Sequence, residues 1–167
     1  MFQYVDNLDA VVTLLKNSNT TSAAANLSLS LTSGQIDNDN IVAHDIDIVS
    51  LRADRFPCIS VRINNKSEDF ATMGRTGVSG SLKTCDVSYD ITAFYRKDGA
   101  NEANADFMDD VYRIARNIEA ALREDITLSG TALWAQPVRT DFVGPFENNG
   151  IWLKGVNIEL AARYQFK

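Results

Sequence analysis

Two long stretches of alternating apolar and polar residues constrain the fold of this chain more than any other feature. Within residues 85–96, the residues of one side are Cys85, Val87, Tyr89, Ile91, Ala93 and Tyr95. Within residues 151–166, the residues of one side are Val156, Ile158, Leu160, Ala162, Tyr164 and Phe166. Successive side chains of a strand point to opposite faces, so each stretch predicts a strand with one buried face.

Residues 101–126 predict a long amphipathic helix. Its apolar residues recur at helical spacing and are Phe107, Val111, Ile114, Ile118 and Leu122. A helix of about 24 residues and a strand of about 11 residues both reach roughly 36 Å. We therefore expect the helix to lie across the apolar face of the sheet and to stop at Gly130. The apolar stripe is open to a second interpretation as a partner-binding face, but core packing is favoured.

The N-terminal part predicts one helix and two extended segments. Residues 6–16 place apolar side chains on one helical face, with Asp6 or Asn7 as the cap. These apolar side chains are Leu8, Val11, Val12 and Leu15. Residues 27–31 alternate and predict a short strand, and residues 41–50 predict another extended segment.

The remaining strands complete one sheet. Residues 56–63 alternate, and Pro57 is compatible with a strand start. Residues 132–142 and 151–166 predict a hairpin with its turn at 144–150. The order of elements predicts an α+β fold, in which a single mostly antiparallel β-sheet is packed by one long helix and a short N-terminal helix. We expect residues 1–167 to form one domain.

The segment between the second and third long strands predicts a long mobile loop. Residues 64–84 are polar and rich in glycine. Loops of this length inside compact domains are usually functional or disordered. A phosphate-binding glycine loop precedes a helix, whereas GRTGVSG at 74–80 precedes a strand, so phosphate binding is disfavoured.

Composition excludes several functions. The chain has 167 residues and a formal net charge of -6, with a sequence pI of about 4.7. An acidic domain is a poor candidate for nucleic-acid binding and for attraction to anionic membranes. The sequence has no apolar run of roughly 18 residues, and its first residues lack a signal-peptide pattern. We expect the protein to be made in the cytoplasm and to have no membrane partner.

The residues needed for catalysis or metal binding are sparse. The one histidine, His44, has no nucleophile-elbow motif with it. The thiols of Cys58 and Cys85 are far apart in sequence, although neighbouring strands allow them to be close in space. Asp109 and Asp110 are adjacent and are interpreted as solvated helix residues. We expect no catalytic residues, no metal and no cofactor, and therefore no enzyme.

The order of elements also carries a family resemblance. An N-terminal amphipathic helix is followed by the strand FPCISVRI, a long loop, a long alternating strand and one long helix. The final strand pair ends with GVNIELAARYQFK. This order resembles the tail terminator and tail-completion proteins of long-tailed bacteriophages. The resemblance covers approximately residues 1–16 and 50–167, and its motifs are patterns rather than catalytic signatures.

The resemblance implies a structural role in the virion. Such proteins form a ring, usually a hexamer, on the head-proximal end of the tail tube. They stop tube polymerisation and join the tail to the neck or head. The implied partners are other copies of the chain, the tail tube protein and a neck or head-completion protein, with DNA only as passing cargo. The implied location is the tail or neck of the virion, assembled in the host cytoplasm.

The resemblance also implies a contact site in the loop. The loop at 64–84 would reach a neighbouring ring. The candidate contact residues are Lys66, Phe70, Met73, Arg75 and Lys83. An acidic subunit would suit a lumen through which DNA slides, because phosphate affinity grows with lysine and arginine contacts.

Two other functions stay open. The first is a different virion part, namely a neck or head–tail connector protein or a tail tube protein. The second is a small-ligand-binding α+β domain, which would need a pocket with convergent polar groups.

Overall fold

The computed structural model describes residues 2–19, 26–31, 35–70, 83–98 and 105–166. Its helices are α1 (Tyr4–Ser18, 15 residues) and α2 (Ala105–Glu124, 20 residues). Its strands are β1 (Ile41–Val42), β2 (Cys58–Phe70), β3 (Lys83–Asp98), β4 (Trp134–Asn148) and β5 (Ile151–Phe166). The sheet order is β1-β2-β3-β5-β4, and only β1 pairs in parallel. The predicted α+β class with a mostly antiparallel sheet packed by helices is confirmed.

The core lies between the central strands and the two helices. β3 and β5 pair in register along their whole lengths, from Lys83 opposite Phe166 to Asp98 opposite Ile151. The predicted inward residues of both strands are buried, apart from the half-buried Phe166. Side chains of α2 supply the other half of the core. They include Val111, Ile114, Ile118 and Leu122, each at most 1% exposed. Core packing is therefore the role of this part of the α2 stripe.

The end of α2 differs from the prediction. The helix ends at Glu124, so Gly130 is not its stop. Oxygen atoms of the Asp125 carboxylate accept hydrogen bonds from the backbone N–H groups of Thr127 (3.0 Å) and Ser129 (2.6 Å). These bonds form a turn in which Gly130 takes a positive φ of 83°. A side chain competing for backbone donors ends the helix early. The predicted helix start at 101–104 lies outside the described residues.

One acidic residue of α2 is buried, contrary to the expectation that it is solvated. Asp110 is 1% exposed, and its Oδ2 accepts a hydrogen bond of 2.7 Å from the Tyr95 hydroxyl of β3. Arg113 lies 3.4 Å from its Oδ1. A buried carboxylate needs such partners, which adjacent sequence positions alone do not reveal.

The first helix begins earlier than predicted. α1 starts at Tyr4, and Gln3 takes the N-cap position without a side-chain hydrogen bond, so neither Asp6 nor Asn7 is the cap. Val11, Val12 and Leu15 are buried as expected. Packing of the preceding Phe2, which is 5% exposed, stabilises this start in place of a capping side chain.

The segments predicted as extended are mostly irregular. Residues 27–31 form turns rather than a strand, and only Ile41–Val42 of residues 41–50 join the sheet. The Asn117 side chain of α2 donates hydrogen bonds of 3.0 Å to the backbone carbonyls of Leu27 and Leu29. Backbone groups satisfied by a helix side chain need no strand partner.

The predicted loop at 64–84 was wrong at both ends. β2 continues to Phe70 and β3 begins at Lys83, so residues 64–70 and 83–84 belong to strands. The register shifts at Asn64, and beyond this bulge Lys66 lies opposite Val87 on the helix-facing side. Residues 71–82 lie outside the described residues.

The two thiols are not neighbours. Cys58 lies opposite Phe94, whereas Cys85 lies opposite Glu68, so the cysteines occupy opposite ends of the β2–β3 hairpin. Both are free and buried. Neighbouring strands therefore do not bring the two cysteines together, because their positions along the strands differ.

The C-terminal hairpin is confirmed, but its turn is shorter than predicted. β4 continues through residues 144–148, and Asn149 and Gly150 form the turn with positive φ angles of 52° and 77°. Bulges interrupt the pairing between Pro137 and Arg139 and between Val143 and Phe146. The bulges let a strand with two prolines stay paired at the sheet edge.

Candidate partner-binding cleft

A cleft opens at the end of the sheet where β2 ends and β3 begins. Its volume is about 670 Å³. Its lining combines aromatic, aliphatic and charged side chains. These are Phe2, Gln3, Tyr4, Val5, Lys66, Glu68, Lys83 and Phe166. Strand register builds the site, because Lys83 lies opposite both Phe70 of β2 and Phe166 of β5.

Aromatic rings form one wall of the cleft. The Phe2 ring lies 4.9 Å from the Tyr4 ring and 5.2 Å from the Tyr164 ring, and both contacts are edge-to-face. The Phe166 ring lies 6.4 Å from Phe2. Such ring pairs contribute about 0.5–1.5 kcal/mol each beyond area burial. Phe2 is buried but Tyr4 is 51% exposed, so the cluster joins the core to the surface.

Lys66 places a positive charge against these rings. Its Nζ lies 5.1 Å from the Phe2 ring centre and 5.0 Å from that of Tyr4, within cation–π range. It also forms an ion pair with Glu68. The Glu68 carboxylate and then the Tyr4 hydroxyl raise the pKa of the Lys66 ammonium, and Lys66 lowers the pKa of the Glu68 carboxyl. The charge on Lys66 therefore persists across the physiological pH range.

The structure brings together two of the five sequence-predicted contact residues. Lys66 and Lys83 both line the cleft, from strands rather than from a loop. Phe70 is the last residue of β2, and its side chain lies outside the description. Met73 and Arg75 lie outside the described residues.

Sequence reasoning missed the contributions of Phe2, Tyr4 and Glu68. Phe2 and Tyr4 stand before the predicted helix, and Glu68 was placed in the predicted loop. The available signal was the recurrence of aromatic residues in MFQY and in RYQF, near the two ends of the sequence. These two segments meet because the end of β5 packs against Phe2, just before the start of α1, and this tertiary contact is not encoded in either segment alone.

A hollow of about 250 Å³ lies at the opposite end of the sheet. Val42, Ile46 and Leu51 are among its apolar lining residues. Its acidic lining residues are Asp39, Asp45 and Asp47. His44 also lines it; the residue is exposed, and its backbone carbonyl accepts a hydrogen bond of 2.6 Å from the Ser60 hydroxyl.

The outer strand β4 forms a third exposed surface. It pairs with β5 on one side, and no described strand pairs with its other side. Val138, Phe142 and Phe146 are 52%, 47% and 52% exposed. Phe142 packs edge-to-face on Tyr112 of α2, with ring centres 4.9 Å apart. Prolines and bulges interrupt the backbone groups of this edge, so its exposed apolar side chains are the features that favour contact with another chain.

No family model and no curated protein sequence matches this chain. Within the part of the chain that the structure describes, no helix is long and apolar enough to cross a membrane. The same residues contain no group of three or more metal-ligating side chains.

Proposed function

We propose that this chain is a non-enzymatic structural subunit of a long-tailed bacteriophage virion. In this role it forms a ring, caps the head-proximal end of the tail tube, stops tube polymerisation and joins the tail to the neck or head. The order of helices and strands supports the proposal through the resemblance described above.

The observation that carries this proposal is that the sheet has two unlike edges. One edge is β4, which carries exposed Val138, Phe142 and Phe146. The other is β2, which β1 covers only at Ile59 and Ser60. A cyclic ring requires head-to-tail contacts between two different surfaces of each copy. One sheet with two different edges meets that requirement.

The cleft supports a role in contacts between protein subunits. Cation–π and edge-to-face contacts hold Lys66, Phe2 and Tyr4 together around a half-exposed aromatic surface. Aromatic residues are enriched at protein interfaces, where they supply large contact area. The net charge of -6 suits a ring through which DNA passes without adhering.

A tail tube protein is the second candidate, because an exposed β4 edge would equally close the rings that stack to form a tube. The two candidates differ in what the purified protein builds. A terminator stops at closed rings, whereas a tube protein polymerises into long tubes.

Negative-stain electron microscopy with light-scattering mass tests the proposal. We expect closed rings at high protein concentration, and we expect Val138→Lys to dissociate them, because a charge opposes burial of this exposed apolar surface against another copy. Leu29→Lys is the matched control, since Leu29 is 47% exposed and belongs to a turn rather than to a strand of the sheet. Long tubes would favour the tail tube protein, and a monomer at every concentration would contradict self-assembly.

A further inference from the structure

We propose that the cleft receives the acidic end of a second copy of this chain, so that copies join head to tail through opposite ends of the sheet. The cleft with Phe2, Tyr4, Lys66 and Lys83 is named the basic end, and residues 37–54 are named the acidic end. This inference rests on the proposed function only in that copies associate, and it adds a contact between the ends of the sheet to the contact proposed between its edges.

The basic end carries positive charge on an acidic protein. Lys66 and Lys83 line the cleft with Glu68 as the acidic residue among its lining side chains. The whole chain has a formal net charge of -6. Tyr4, 51% exposed, and Val5, 69% exposed, add apolar surface to the same cleft. A partner for this end therefore needs both carboxylates and apolar side chains.

The acidic end has the complementary composition. Residues 37–54 contain five aspartates and one arginine, and the next residue, Arg55, also lines the hollow, so carboxylates outnumber guanidinium groups there. The Asp45 and Asp54 side chains are 80% and 59% exposed, and each also forms a surface ion pair, Asp45 with Arg62 at 3.4 Å and Asp54 with Arg52 at 3.1 Å. Val49 is 72% exposed, and the hollow beside Asp39 and Asp45 has Ile46 in its apolar lining. A lysine can place its methylene stem on apolar surface while its ammonium reaches the rim carboxylates.

Geometry makes this contact intermolecular. The acidic end joins the sheet where Ile41 pairs with Ile59, near the start of β2. The Arg96 guanidinium donates a 3.1 Å hydrogen bond to the Leu51 carbonyl, which fixes the segment there. The basic end lies near the other end of β2, where Phe70 pairs with Lys83. A 13-residue strand spans about 40 Å, so the acidic end of a copy cannot reach the cleft of the same copy.

The opposite charges of the two ends make the contact between copies head to tail. The two ends differ in charge, so like ends repel and unlike ends attract. The contact is heterologous, and repetition of it gives a closed ring or an open chain according to the angle between copies. A second copy is favoured over an unrelated partner because the complementary surface is present on the same chain in equal number.

Sedimentation velocity of charge-reversal variants tests the inference. The acidic-end variant is Asp39→Lys with Asp45→Lys, the basic-end variant is Lys66→Glu with Lys83→Glu, and a fourfold variant combines them. The matched control for the acidic-end variant is Asp9→Lys with Glu124→Lys, which makes the same change in net charge at exposed helix positions. Thermal unfolding checks that each variant is folded. If the basic-end variant does not fold, the association of the acidic-end variant alone tests the inference.

We expect each twofold variant to weaken association by about tenfold or more, and the fourfold variant and the control to associate like the wild type. Equal mixing of the two twofold variants should also restore association. Wild-type association that no reversal weakens would overturn the inference and leave ring formation standing. Charge-dependent open chains instead of rings would support the inference and contradict the ring. A monomeric wild type would overturn both.

Discussion

The hydroxyl groups of Tyr89 and Tyr164 lie 2.6 Å apart in the core, on neighbouring strands β3 and β5. Tyr89 is 0% exposed and Tyr164 3% exposed. Burial raises the pKa of both phenols, so both stay neutral and one donates to the other. Because Tyr164 also contacts Phe2, the pair connects the central sheet to the cleft.

Removing both of these hydroxyls should cost less unfolding free energy than the sum of the costs of removing each one alone. Tyr89→Phe or Tyr164→Phe leaves a buried hydroxyl without its partner, which costs about 1–3 kcal/mol of unfolding free energy. The double variant should lose less than the sum of the two single losses. Urea unfolding of the four proteins measures this coupling, and strictly additive losses would show that the hydroxyl pair contributes nothing specific.

Gly155 in β5 should not tolerate alanine. A methyl group there would lie 2.9 Å from Cδ1 of Phe94 and 3.1 Å from the Ala93 carbonyl oxygen. We expect Gly155→Ala to lower the free energy of unfolding by about 1–3 kcal/mol, since overpacking forces neighbouring atoms to shift. Urea unfolding in the Phe94→Val background provides the control, where the loss should be smaller. An equal loss in both backgrounds would show that the ring is not the obstacle.

The Cys58 thiol should be inert in the native protein. Cys58 is 1% exposed, and burial raises its thiol pKa to about 12. The thiolate is the reactive form, so iodoacetamide at about pH 8 should modify Cys58 far more slowly in buffer than in urea. Peptide mass spectrometry reads the modification at Cys58 and Cys85 separately. Rapid native modification of Cys58 would contradict its burial.

The ion pair between Asp86 and Arg163 should stabilise the sheet only above acidic pH. The Arg163 Nε and Nη2 atoms lie 2.6 Å and 2.7 Å from the two carboxylate oxygens, and this hydrogen bonding lowers the Asp86 pKa below 3.8. A depressed folded-state pKa contributes stability above the unfolded-state value, and that stability is lost as pH falls through the folded-state value.

We therefore expect Asp86→Asn to destabilise the protein at about pH 7, with the difference from wild type shrinking below about pH 4. Both side chains are partly exposed, at 41% for Asp86 and 44% for Arg163, so the effect should be modest. Unfolding midpoints measured across this pH range test the prediction. A difference that grows on acidification would have the wrong sign for this ion pair.

Segments with strict apolar periodicity were predicted correctly as strands or as a helix. The alternation of β3 and β5 and the spacing of the α2 residues from Val111 to Leu122 were sufficient to predict these elements, because one face of each is apolar and buried. The part of β2 beyond Ile63 was missed because its polar residues, from Asn64 to Asp69, have little intrinsic strand preference and its bulge changes the alternation. Pairing with β3 overrides both local signals.

The candidate site was predictable only in part. Lys66 and Lys83 were identified because they are basic residues between two strands, although their placement in a loop was wrong. Phe2 and Tyr4 are distant from these lysines in sequence, and the helix pattern begins after them. Within the acidic end, the sequence predicts an extended segment at 41–50, and nothing local indicates that this segment lies at the opposite end of the sheet from the lysines. Tertiary packing alone defines both ends.

Native mass spectrometry of the purified wild-type protein, over a range of concentrations, tests self-assembly into a ring most directly. A closed ring predicts one dominant oligomer of about six copies that does not grow as concentration rises. A monomer at every concentration, or a continuous ladder of oligomers without a preferred size, would contradict the ring.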